Sequence, residues 1–212
     1  MEYIFSHFYE KFHYIHDIVN WKNRKKLHNK DFTIISSNCA GGILYHWLGL
    51  RFNSPFINLW LKNDDYIKVL ENMDAFLSTP IVEYNTTEVD YPVGIGWDGI
   101  KIYFMHYKTY DEAINKWRAR VKRINKDNMC VLLTNWGGKK EILDRFERLP
   151  YKNKLVFVNR RFSEYKSSVY LRGFEKCNGV GLIWKTKNIL GKRYIDEFDY
   201  VQYFNNLKGG CK

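Results

Sequence analysis

Between Phe32 and Leu50 the chain reads Phe-Thr-Ile-Ile-Ser-Ser-Asn-Cys-Ala-Gly-Gly-Ile-Leu-Tyr-His-Trp-Leu-Gly-Leu, and this stretch limits the available folds more than any other. The β-branched run from Phe32 to Ile35 is a buried strand in prospect. Small and polar residues end it, Gly41 and Gly42 follow, and an apolar run then forms the first turns of a helix. A strand that feeds a tight turn into a helix start belongs to α/β architectures. Unpaired N–H groups and the positive end of the helix dipole face outward at such a turn. Cys39 sits in it, so its thiol is expected to ionise more easily than a free cysteine and to be a candidate nucleophile. Asn38 precedes it in a turn position, and the amides loosened by Gly41 and Gly42 are candidate oxyanion donors.

The rest of the chain extends the α/β pattern. Ile4, Phe8, Phe12, Ile15 and Val19 recur at helical spacing and lead into Lys22, Arg24, Lys25 and Lys26, which predicts an amphipathic helix within residues 1–28. Packing on the domain is the plainer reading of that helix, and a peripheral membrane contact or partner-binding arm is the functional one. Asp64 is expected to cap a helix running to about Leu77. Ile81-Val82, Val93 to Ile95 and Ile100 to Met105 look like strands, with Asp98-Gly99 as a hairpin turn. Thr109 or Asp111 opens a helix through Asn125. Met129 to Thr134, a helix from Lys139 to Leu149, and Lys154 to Val158 then form a strand–helix–strand unit with a parallel pairing. One or two strands within 168–186 and a closing helix from Asp196 to Lys208 complete the chain. The expected fold is one α/β domain over residues 1–212, with a mixed, mainly parallel sheet flanked by helices, an N-terminal helical arm and a core over 32–212.

At 212 residues with 45% hydrophobic and 17% aromatic content, a sizeable core is assured and disorder is excluded. The net charge of +11 favours an anionic partner, and an anionic small molecule, a phosphorylated glycan precursor such as a nucleotide- or lipid-linked sugar, or anionic lipid would each fit it. It leaves nucleic acid as a third choice, since no helix-turn-helix, zinc-finger or RNA-binding signature is present. Cys39, Cys130, Cys177 and Cys211 form no Cys-x-x-Cys pair, which argues against a zinc site or disulfide framework and leaves no metal assigned. His13 and His16 have one-face spacing, but nothing else supports a metal there. With no secretory pattern and no apolar run of membrane-spanning length, the cytoplasm is the expected location.

Ends of parallel strands are where α/β sheets gather ligands. Ser36 to Gly42, Asn135 to Gly138 and Asn159 to Arg161 are such ends, and on one edge they would surround a crevice. A catalytic Cys39 needs a base. His46 lies seven residues on, about 10 Å along an ideal helix, which is too far. His106, at a strand end, is the preferred base, against the plainer reading of a satisfied, partly buried ring. Lys116, Arg120 and Arg123 fall on one helical stripe and are candidates to hold a phosphate or carboxylate, with a solvated basic face as the equal alternative. Asn135 is a further candidate ligand contact.

Asn38-Cys39-Ala-Gly41-Gly42 with Tyr45, Ser54-Pro55-Phe-Ile-Asn58, Tyr91-Pro92-Val-Gly94, His106-Tyr107 and Lys116-Trp117-x-x-Arg120-x-x-Arg123-Ile124-Asn125 together resemble the bacterial domain-of-unknown-function family 1919, over roughly residues 32–160. That resemblance implies an association with exopolysaccharide or capsule biosynthesis and carries no mechanism with it. The Asn38-Cys39 turn also resembles, less closely, that of capsule acyltransferase-like proteins that bind coenzyme A, although Ala40 stands where their pattern has Gln. The resulting expectation is a cysteine-dependent acyltransferase acting on glycan precursors, with a coenzyme A thioester as candidate donor. The alternatives are a non-catalytic binder of nucleotide-sugar or lipid-phosphate ligands and a nucleic-acid-binding protein.

Overall fold

Strand β1 (Thr33–Ser36) is buried along its whole length, in a computed structural model that describes residues 15–188 and 191–207. It pairs in parallel with β5 (Met129–Thr134), which pairs in parallel with β6 (Lys154–Val158) and that with β7 (Ser168–Tyr170), giving the order β1-β5-β6-β7. Between β1 and β5 the chain makes a long excursion through helices α2 (Ala40–Leu48), α3 (Asn63–Glu71), α4 (Met73–Ser78) and α5 (Tyr110–Val121). It also includes a small antiparallel sheet of β2 (Val82–Glu83), β3 (Val93–Ile95) and β4 (Lys101–Tyr103). The fold is α/β, and its parallel and antiparallel pairings are divided between two sheets. Helix α6 (Lys140–Arg148) joins β5 to β6, and α7 (Tyr200–Asn205) closes the described chain.

The alternation of side chains along a strand sorts the core into two layers. Ile35, Val131, Leu133, Val156 and Val158 face Tyr66, Phe76, Trp117 and Phe146, from α3, α4, α5 and α6. Ile34, Cys130, Leu132, Leu155 and Phe157 face Leu44 and Tyr45 of α2 and Tyr200 and Phe204 of α7. Both faces of the parallel sheet are therefore covered, as such sheets require.

Strand β1 lies at the sheet's edge, and α2 closes it. The Tyr45 hydroxyl donates to the Phe32 carbonyl (2.9 Å) and accepts from the Ile34 N–H (2.9 Å), pairing main-chain groups that have no neighbouring strand. Burial holds that hydroxyl well above its ordinary pKa, so it stays a donor. Gly41 permits the close approach, because a Cβ there would stand 2.9 Å from the Ser36 Cβ and 3.1 Å from the Ile34 Cγ2.

The helical residues 15–26, α1, dock on the domain through polar contacts. Asn23 donates to the Tyr200 hydroxyl (2.7 Å) and Arg24 Nε to the Trp47 carbonyl (2.9 Å). Arg193 is fully buried, donates to Asn20 (2.8 Å) and to both oxygens of Asp196 (2.8 and 2.9 Å), and lies 3.7 Å over the Trp47 ring. Ile4, Phe8, Phe12 and His13 lie outside the described residues.

Several element boundaries differ from expectation. The helix expected from Asp64 to Leu77 breaks at Asn72 (φ −137°, ψ 42°), whose side chain donates back to the Lys68 carbonyl and competes with the helix ladder. Its N-cap is Lys62, two residues before the expected Asp64. Helix α5 stops at Val121, and Asn125 instead bonds Thr33 and Asp31 at the start of β1. The expected hairpin at Asp98-Gly99 is present, with Asp98 at φ 55°. The closing helix is shorter than expected because Asp199 caps it afresh through the Gln202 N–H (2.8 Å).

Tyr45→Phe keeps the ring stacked on Phe32 but strands the Ile34 N–H and Phe32 carbonyl. The expected loss is about 1–3 kcal/mol of unfolding free energy in a denaturant melt. A loss within experimental error of zero would show that the hydroxyl does not close the edge.

Candidate functional site

Because the four strands run parallel, their C-terminal ends share one edge of the sheet, and a cleft of about 690 Å³ opens there. Its floor is the β1 end, Ser37, Asn38 and Cys39, and one wall is Trp60 to Asp64, which leads into α3. Met105 and His106 follow β4, Trp136 and Lys139 lie between β5 and α6, and Leu182 and Trp184 close the rim. Cys39 and His106 thus line one cleft.

Asn38 shapes the floor. Its Oδ1 accepts from the Ala40 N–H (3.0 Å) and its Nδ2 donates to Thr134 Oγ1 (2.6 Å), which starts α2 and ties the end of β1 to the end of β5. The Gly41 N–H is bonded to Ser36 Oγ (3.3 Å), and both Gly41 and Gly42 are buried, Gly42 facing Ile57. The expectation that this glycine pair supplies oxyanion donors is therefore corrected: it seats the helix on the strand.

Cys39 is buried, with its Sγ 3.8 Å from the Met105 sulfur. Burial pushes its thiol from an ordinary 9.0 up to about 11, only partly offset by its own backbone amide. The expected easy ionisation is corrected accordingly, since desolvation outweighs the helix start. Among the described residues His106 is exposed and makes no hydrogen bond to the sulfur.

The stripe of Lys116, Arg120 and Arg123 is split, and none of the three lines the cleft. Lys116 is exposed. Arg120 is buried, lies 5.3 Å over the Phe52 ring and donates to the Tyr107 hydroxyl (2.6 Å), which itself donates to the Ile57 carbonyl (3.0 Å). Burial raises the Tyr107 hydroxyl, and Arg120 opposes that rise. Arg120 thus holds the residue next to His106 and keeps the loop after β4 in place. Arg123 donates to the Phe52 carbonyl (3.2 Å) near the start of β1, at the opposite edge of the sheet. It lines a surface hollow there that also holds Asp31, Asp74 and Asp127, a mixture of charge with no preference for an anion. Asn135 is buried beneath the loop 177–180, and its Oδ1 has no partner among the described residues. Gly179 makes that approach, because a Cβ at its φ of 89° would fall 1.7 Å from the Asn135 carbonyl oxygen. The third strand end, Asn159 to Arg161, turns away: Asn159 donates to the Cys177 carbonyl, and the two arginines lie over Phe162 and Tyr170.

Reading the sequence missed the aromatic walls. Trp60 stacks on Tyr103 at 4.0 Å and 9°, donates to the Tyr91 hydroxyl (3.2 Å), and exchanges main-chain bonds with Tyr103. Trp136 is exposed, and its carbonyl accepts from Asn63 Nδ2 (2.7 Å), joining the start of α3 to the turn before α6. The only hint in the sequence was a tryptophan at each of three loop positions, 60, 136 and 184. Three indoles with Met105 and Leu182 make a surface suited to the apolar face of a sugar or base. Among the described residues no His/Cys/Asp/Glu group has metal-binding geometry, and no helix is long and apolar enough to cross a membrane.

Residues 10–205 match the family described as Domain of unknown function (DUF1919). A Haemophilus influenzae protein described as an uncharacterized protein is 41% identical over 189 residues, which is 89% of this chain and 91% of that one.

The pKa of Cys39 makes a direct prediction. Its neutral thiol is favoured by folding, so this contribution to stability is full below pH 9.0 and fades as pH rises through about 11. In a Cys177→Ser, Cys211→Ser background, iodoacetamide labelling of the folded chain should keep accelerating past pH 9 and level only near 11. Unfolded chain should level near 9. A folded midpoint at or below 9 would mean that an activating charge reaches the sulfur.

Proposed function

The chain belongs to the DUF1919 family, and from that premise we propose that it acts on a phosphorylated glycan precursor of an exopolysaccharide or capsule, transferring an acyl group to a sugar hydroxyl. The observation that carries this reading is the cleft at the parallel-strand ends, where an Asn-Cys turn, an exposed imidazole and three indoles line one space. Indole faces take sugar rings, and the strand-end position is where α/β sheets do chemistry.

In this reading His106 is the base. It takes the proton of an acceptor hydroxyl as that oxygen attacks the acyl carbonyl, and it returns the proton to the departing thiolate of the donor. A coenzyme A thioester is the donor class proposed. Cys39, held protonated by burial, serves as a hydrogen-bond donor at the reacting carbonyl, and the transfer passes directly from donor to acceptor without an acyl-cysteine. Exposed Trp21 and Ile18 on α1, beside Lys22, Lys25 and Lys26, support work at an anionic membrane surface, where a lipid-linked acceptor would be met.

One observation favours a second reading, a non-catalytic binder of the same ligands: the thiol is raised and makes no bond to the imidazole. The two readings separate in one assay. Purified protein with acetyl-coenzyme A and a nucleotide- or lipid-linked oligosaccharide should give an acetylated product by mass spectrometry. His106→Ala should lower turnover by about 100-fold or more while tryptophan-detected ligand affinity is kept. Cys39→Ala should slow the reaction by about tenfold, as for a lost weak donor, with no acyl-enzyme in wild type. Binding without any transfer would leave the binder.

A further inference from the structure

Three helices begin at the cleft, and they begin differently. At α2 the N-cap Cys39 makes no side-chain bond, but the preceding Asn38 accepts from the Ala40 N–H (3.0 Å). Helices α3 and α6 have Lys62 and Lys139 at their N-caps, both in extended conformation and neither with a side-chain cap. An ammonium group cannot accept from the free N–H groups of a helix start, and it adds a positive charge to an end that is already positive. Away from the cleft, Thr109 and Asp199 cap α5 and α7 through their own oxygens.

The α3 and α6 starts are fixed side by side. Asn63, the first residue of α3, donates to the Trp136 carbonyl, three residues before Lys139 (2.7 Å). Further along, Arg145 of α6 pairs with Asp64 (3.4 Å) and Glu71 (3.2 Å) of α3. That pairing engages Asp64, which lines the cleft, while Asp65 and Glu141 in the same first turns do not line it, and Lys140 is engaged by Glu164 (3.5 Å). Lys62 and Lys139 have no ion pair among the described residues, and both line the cleft.

A separate observation points to a ligand at the same place. Ser37 is 1% exposed and lines the cleft, and its hydroxyl has no hydrogen-bond partner among the described residues. Its carbonyl accepts from the Leu61 N–H (2.9 Å), which ties Ser37 to the residue before Lys62, the N-cap of α3. A hydroxyl removed from water is normally bonded, so a partner is missing from this corner.

We propose that the mouth between the starts of α3 and α6 is a diphosphate subsite, in which Lys62, Lys139 and the free N–H groups of both helix starts hold the phosphate oxygens and the Ser37 hydroxyl donates to one of them. This deepens the reading given above, since it locates the phosphate of the precursor, and it moves that role from the expected Arg120 and Arg123 to residues on the cleft. Nucleoside diphosphate, lipid diphosphate and the diphosphate of coenzyme A share the chemistry.

Tryptophan fluorescence at constant ionic strength tests the subsite, because Trp60, Trp136 and Trp184 line the cleft. Inorganic pyrophosphate should bind and change the emission. Lys62→Ala and Lys139→Ala should each weaken that binding by about tenfold, as for one lost charge-assisted contact. Lys116→Ala, also exposed but off the cleft, should leave it unchanged. Both cleft lysines are exposed, so these variants keep the fold even if Ser37→Ala does not. Absence of pyrophosphate binding, or an equal loss in Lys116→Ala, overturns the subsite. Uridine diphosphate glucose, farnesyl diphosphate and coenzyme A as competing arms identify the source of the diphosphate by which binds tightest and loses most in the double lysine variant. Lysine-dependent pyrophosphate binding without acyl transfer keeps the subsite and removes the acyltransferase reading. Acyl transfer with unchanged KM in the double variant does the reverse.

Discussion

Strand β1 has a neighbour on one side only, and the cleft exists because its open edge and its C-terminal end are both tied down. Tyr45 pairs the exposed Phe32 and Ile34 main-chain groups. Asn38 then links the end of β1 to Thr134, and the Tyr66 hydroxyl lies within bonding distance of the carbonyls of Ile35 (2.7 Å) and Leu132 (3.0 Å). A parallel pair separated by a long excursion closes at a large cost in chain entropy. These side-chain bonds act on the two strands whose ends form the floor. Loosening any of them would displace Cys39 together with the start of α2, because strand, turn and helix are one continuous unit.

The excursion between β1 and β5 is what brings a second set of groups to that floor. The small antiparallel sheet contributes no strand to the main one. It is attached through the Trp60–Tyr103 bridge and stack, and β4 then ends at Met105 and His106. Arg120 fixes the same loop from behind through Tyr107. A cation that looks like a ligand contact on a helical wheel is therefore a positioning residue. Its guanidinium is satisfied by a phenol and an aromatic face, which suits a planar cation in an apolar setting.

Local patterns revealed most of the fold. The β-branched run at β1, the apolar runs at β5 and β6, and the Asp98-Gly99 turn each carry a short-range signal that tertiary packing did not override. The strand-end rule placed the ends of β1 and β5 on one cleft, because it depends only on the strands being parallel, whereas His106 arrives from β4 of the antiparallel sheet. The illegible parts were those that depend on distant contacts. Asn72 interrupts a helix of continuous amphipathic pattern by a side-chain bond that no periodicity shows. Lys116, Arg120 and Arg123 share a stripe, but a stripe says nothing of which edge of the sheet it meets. Lys62 and Lys139 were hidden for a related reason: a lysine before a helix carries no signal in itself, and its meaning appears only when another uncapped start is found beside it.

The state of Cys39 shows how competing terms set the chemistry of such a turn. A helix start stabilises a nearby anion by about 0.3–1 kcal/mol when exposed. A rise from 9.0 to about 11 corresponds to roughly 3 kcal/mol in the other direction, so burial prevails. The sulfur is next to Met105 rather than an ammonium or imidazolium, and nothing on that side compensates for the lost water. A thiolate is therefore disfavoured where a thiol is tolerated, and a group that stays protonated at neutral pH can donate but cannot attack. His106 differs in solvent access, being exposed where it lines the same cleft. Solvent access therefore decides the state of the sulfur: a thiol held out of water keeps its proton.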